Sequence, residues 1–205
     1  MSAASQDAGA RRGLGLPIAI FASAQFVMVL DSSVMNVSIS QIVDDLDTTV
    51  QGVQGAITFY TLVMASLMLL GAKLGDVLGR SRCFAIGLAV YGLGSLTTAL
   101  SPNLTVLLIG WSTIEGIGAA MVIPAIMSLI VAMDHGDNAA DAGAIAGFVQ
   151  GGGYLLAAVL PFVAGLLREH LADLTPAWWL MAALCLVLAA VAVPLRPGHR
   201  ISFQN

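Results

Sequence analysis

Charge is scarce in this chain. Of its 205 residues, 10% are charged and 58% are hydrophobic. A soluble domain carries about a quarter charged residues to solvate its surface. The shortage excludes a disordered chain, a nucleic-acid-binding module and most soluble enzymes. Cysteine is nearly absent too. Cys83 and Cys185 both fall at or inside apolar runs and lack metal-ligand spacing. They read as packing residues without a disulfide, and no metal site is expected. His135, His170 and His199 all lie outside the apolar runs. No serine–histidine or zinc-type constellation falls within a run, which argues against a membrane protease. The net charge of −4 says little about partners, because most of the charge is rationed to loops.

What is abundant is long apolar sequence. Six runs follow a polar start: Leu14 to Ile39, Val53 to Leu74, Cys83 to Leu100, Leu104 to Met133, Ala144 to Leu167 and Trp178 to Leu195. A span needs about 20 apolar residues, and a helix satisfies its own backbone in hydrocarbon. The expected fold is therefore an all-α membrane protein of six transmembrane helices. Residues 1–13 read as a disordered tail, 14–195 as the helical bundle and 196–205 as a second polar tail. The first run is too long for a signal-peptide core and lacks a small-residue cleavage site.

Lysine and arginine set orientation. Arg11, Arg12, Lys73, Arg80, Arg82, Arg196 and Arg200 fall on one side of the alternating topology, and Arg168 alone on the other. Both termini are therefore expected in the cytoplasm, with the protein in the cell membrane. Trp178 and Trp179 suit an interfacial aromatic belt. Pro124 and Pro161 lie inside runs four and five, where neighbouring helices tolerate a kink. Gly143, Gly147 and Gly151 share one helix face and suit close helix contact, although glycine is common in membrane helices anyway.

Two acids lie deep in the runs. An ionisable group there costs roughly 2.5–3.5 kcal/mol on insertion scales. Asp31 is about 25 Å along the first run and Glu115 about 16 Å along the fourth, which runs the opposite way. Both fall at mid to outer depth, where one cavity can take both. Neither has an evident basic partner. A carboxyl without one suits a proton carrier or a cation site; the alternative is a neutral, hydrogen-bonded packing residue. Asn36 suits either a substrate role or a bond between helices.

The second loop reads Gly71-Ala72-Lys73-Leu74-Gly75-Asp76-Val77-Leu78-Gly79-Arg80-Ser81-Arg82. It resembles the loop of the major facilitator superfamily with the pattern G-x-L-x-D-R-x-G-R-K/R. Leu74, Asp76, Gly79 and Arg80 match, and Arg82 stands next to the later basic position. Leu30 to Val37 resembles the first-span pattern L-D-x-T-V-V-N-V of the drug/proton antiporter branch, the fourteen-span type. Glu115 to Ala120 resembles the fourth-span pattern R-x-x-Q-G-x-G-A-A, with Ser112 at the arginine and Glu115 at the glutamine. Leu160 to Gly165 keeps only the proline (Pro161) and last glycine (Gly165) of G-P-x-x-G-G.

The resemblance implies the N-terminal six-helix half of a transporter, built as two inverted three-helix repeats. It implies proton-coupled efflux of small, drug-like and in part cationic compounds, driven by a proton gradient with no cofactor. The loop residues would latch the cytoplasmic side. A second six-helix half is then needed, from the same polypeptide, a partner chain or a second copy. The lipid bilayer and a small-molecule substrate are the other expected partners. The alternative is a truncated or fragmentary bundle without transport activity, inert or serving as an interaction subunit.

Overall fold

The computed structural model describes residues 3–133, 146–149, 151 and 175–192. Its elements are α1 (Ala3–Val37), α2 (Ile39–Asp45), α3 (Val50–Leu78), α4 (Arg80–Ala99), α5 (Leu104–Leu107), a π-helical segment (Leu108–Glu115), α6 (Gly116–Met133) and α7 (Thr175–Ala192). No strand occurs among the described residues. Among the described residues, four stretches are long and apolar enough to cross a membrane: Pro17–Val37, Val50–Leu78, Arg80–Ala99 and Leu104–Val131. They correspond to the first four apolar runs. The fifth run lies outside the described residues except for 146–149 and 151, so Gly143, Pro161 and Gly165 are not placed.

Helix ends follow local chemistry. The Thr49 hydroxyl accepts the Gly52 N–H at 3.1 Å and starts α3. Asn103 Oδ1 accepts the Val106 N–H at 3.0 Å and starts α5 just after Pro102. Each cap satisfies a backbone donor that the first helical turn leaves free. Gly79, at φ +90°, separates α3 from α4. That backbone region favours glycine because a Cβ would crowd the chain. α1 begins at Ala3, so the segment expected to be a disordered tail is helical from there, in keeping with its alanines and arginines.

α4 lies at the centre. It packs against α6, α7 and the π segment. Phe84 on α4 meets Phe21 on α1 edge to face, with ring centroids 5.4 Å apart. The most apolar window of α3 is 17% buried, against 56% for that of α4. α3 is thus an edge helix, held on one side by α6. Backbones approach closely where side chains vanish. A Cβ on Gly118 of α6 would stand 2.7 Å from the Tyr91 nitrogen, and one on Gly94 of α4 would stand 2.8 Å from the Glu115 nitrogen. Of the glycines expected to provide such contact, Gly147 and Gly151 lie among the described residues. A methyl group on Gly147 or Gly151 would meet no described atom within 4 Å. Pro124 sits inside α6, which continues past it to Met133. Cys83 and Cys185 are free, buried thiols.

Candidate functional site

Along α1, residues Ala24, Val27, Met28, Asp31, Val34 and Met35 are buried. Their spacing of three and four is one helix face. Asp31 therefore points into the bundle with the apolar residues around it, and none of its surface reaches solvent. Two donors converge on its Oδ2. The Tyr91 hydroxyl of α4 donates at 2.6 Å, and the Trp111 indole Nε1–H of the π segment donates at 2.9 Å. Tyr60 of α3 stacks on Trp111, with centroids 4.7 Å apart and 17° between the rings.

Glu115 closes the π segment and is also fully buried. Its carboxyl lies against that of Asp31. Thr98 of α4 donates to the Gly94 carbonyl at 2.9 Å and, more weakly, to Glu115 Oε1 at 3.3 Å. The two carboxyls expected to share a region thus meet directly. Ser112 does not join them. Its hydroxyl donates to the Ala56 carbonyl at 2.9 Å and ties the π segment to α3. Asn36 is exposed, and its amide donates to the Ser32 carbonyl of its own helix at 2.7 Å. It takes no part in the pair.

The π geometry shapes this site. The Thr113 hydroxyl donates to the Leu108 carbonyl, five residues back, at 3.1 Å. π turns inside α-helices concentrate at functional positions. Here the turn carries Trp111, Ser112 and Glu115, all buried.

The α3–α4 turn lies elsewhere. Leu74 is half-buried, and Asp76, Gly79, Arg80 and Arg82 are exposed. Arg80 Nη1 donates to the Ser128 carbonyl of α6 at 3.0 Å. That bond spans two helical hairpins and fixes the turn to one end of α6.

Sequence reasoning missed Tyr60, Tyr91, Thr98 and Trp111. A signal existed for two of them. Tyr91 and Trp111 fall mid-run, away from any interface, and a buried O–H or indole N–H seeks an acceptor.

The family model described as Major Facilitator Superfamily matches residues 21–203. The chain belongs to the major facilitator superfamily. It is 36% identical over 172 residues to the puromycin resistance protein of Streptomyces alboniger, covering 83% of this chain and 33% of that protein. It is 33% identical over 158 residues to a methylenomycin A resistance protein of Bacillus subtilis, covering 76% and 33%. It is 34% identical over 108 residues to the cephamycin export protein of Amycolatopsis lactamdurans, covering 53% and 22%. The chain thus spans about a third or less of the length of these relatives. Membership makes this chain part of a family of membrane transporters, not of enzymes, and its apolar helices are membrane-embedded.

Proposed function

We propose that this major facilitator chain is one six-helix half of a proton-coupled efflux transporter in the cell membrane. Both termini would face the cytoplasm. Residues 14–195 would form the bundle, as in the N-terminal half of the fourteen-span antiporters. The substrates would be small, drug-like compounds, cationic ones among them, and the proton gradient would supply the energy without a cofactor. A second six-helix half would complete the central path, within one polypeptide or by assembly.

The supporting observation is the Asp31–Glu115 pair. Two carboxyls meet out of water, and no lysine, arginine or histidine among the described residues accompanies them. A fixed charge is costly there, whereas a group that gains and loses a proton is functional. Asp31 and Glu115 would carry protons. Asp76, Gly79, Arg80 and Arg82, with Leu74 behind them, would latch the cytoplasmic side through the Arg80 bond to α6.

The test is uptake of puromycin, the compound in a relative's name, into inverted membrane vesicles under an imposed pH gradient. Asp31→Asn and Glu115→Gln are compared with the parent at matched expression. Transport driven by the gradient should fall at least about tenfold in each, as removal of an essential carrier group entails. Unchanged pH-dependent uptake in both variants refutes the reading. A second reading is a bundle without transport activity of its own, inert or serving as an interaction subunit. It gains support if the chain forms a stable complex yet shows no flux.

A further inference from the structure

Asp31 uses its two oxygens unequally. Tyr91 and Trp111 both donate to Oδ2, while Oδ1 is buried and has no hydrogen-bond partner among the described residues. Glu115 repeats the pattern. Oε1 receives Thr98, and Oε2 is buried without a hydrogen-bond partner among the described residues. The orphan oxygens thus come one from each of two carboxyls that touch.

Leaving a buried polar atom unpaired costs about 1–3 kcal/mol, and more when it is charged. Two ionised carboxylates side by side out of water also repel. One proton between Oδ1 and Oε2 removes both penalties, since one acid then donates to the other. Among the described residues, the ionisable groups near the pair are Tyr60 on α3, Tyr91 on α4 and Cys185 on α7, none of them cationic. Ser95 of α4 lies beside Glu115, and its hydroxyl has no hydrogen-bond partner among the described residues.

We propose that Asp31 and Glu115 hold one proton jointly, between Asp31 Oδ1 and Glu115 Oε2, and that Tyr91 and Trp111 are positioning residues that fix the remaining charge on Asp31 Oδ2. Its use in transport rests on the efflux reading above, whereas the binding does not. Two neutral donors then do the work of a cation that Ser112 does not supply. A second proton neutralises the pair and weakens both donor contacts, because they are strongest to an ionised oxygen. The pair therefore cycles between one proton and two.

Infrared spectra of the purified chain in lipid nanodiscs near neutral pH test this. The Asp31→Asn/Glu115→Gln double variant should lose one carboxylic-acid band and one carboxylate band relative to the parent. Loss of two acid bands, or of carboxylate bands alone, overturns the shared proton. Tyr91→Phe removes only a hydroxyl, and its fold is checked by circular dichroism. In Tyr91→Phe the second acid band, which marks the two-proton state, should persist to a pH about one unit higher than in the parent, the size of one hydrogen bond to a charged group. Trp111→Phe should move the same way and serves if Tyr91→Phe fails to fold. An unchanged pH course in the folded variants overturns the positioning role. Absent flux with a one-acid, one-carboxylate spectrum refutes the efflux reading alone. Gradient-driven flux with a two-acid spectrum refutes the shared proton alone.

Discussion

The pocket around Asp31 and the turn between α3 and α4 both depend on a few polar contacts from separate helices. Their surroundings differ. Asp31, Tyr91, Ser112 and Glu115 expose none of their surface, and Trp111 exposes 1%. At the turn, Asp76, Gly79, Arg80 and Arg82 are exposed, and Arg80 reaches α6 through a single bond. A hydrogen bond strengthens where the local dielectric is low, and an unpaired group is then costly. At an exposed end, water competes for the same partners. The pocket should therefore govern stability and proton binding together, whereas the turn should adjust conformation at little cost.

Four substitutions break or sharpen that contrast, read by thermal unfolding of the purified chain in detergent. Trp111→Ala removes a buried ring, its stack on Tyr60 and a donor to Asp31, and should cost about 3–5 kcal/mol. A loss below about 1 kcal/mol, the scale of a single net hydrogen bond, would remove the pocket's claim to special weight. Gly94→Ala forces a methyl group against the backbone of Glu115, where neither helix can yield cheaply, and should cost about 1–3 kcal/mol. Gly79→Ala places a Cβ at φ +90°, with an expected loss of about 1–2 kcal/mol. Arg80→Gln should cost the least, about 0.5–1.5 kcal/mol, and leave the infrared pH course unchanged. A shift of that course in Arg80→Gln would join the two regions that the contrast separates.

Much of the framework was legible in the sequence because bilayer physics is blunt. The fourth apolar run, Leu104 to Met133, matches the continuous helical stretch from α5 through α6. Asn103 marks its start by a cap that the residue type announces. Depth alone allowed Asp31 and Glu115 to share one cavity, because rise per residue is nearly constant in helices. Orientation around the axis was less accessible. Asn36 shares a sequence motif with Asp31 yet lies on another face and bonds its own backbone. Ser112 stands where the family carries a buried arginine, yet it turns to the Ala56 carbonyl. The donors to Asp31 come from two other helices, so no local spacing reveals them. The glycine repeat meets the same limit. A repeat on one face creates an opportunity for contact, and only the neighbouring helix decides whether it is taken, as at Gly118.

The π segment has a consequence for how relatives of this chain are to be compared. Hydrogen bonds that reach five residues back fit one more residue into a turn than an α-helix holds, so such a segment behaves like an absorbed insertion. Residues before Leu108 and after Glu115 keep their order, but their angular phase around the helix is offset. Two homologous spans can then align without a gap and still present different side chains to the same neighbour. Changes in helix type, invisible in an alignment, become a route by which a buried site exchanges one set of polar groups for another.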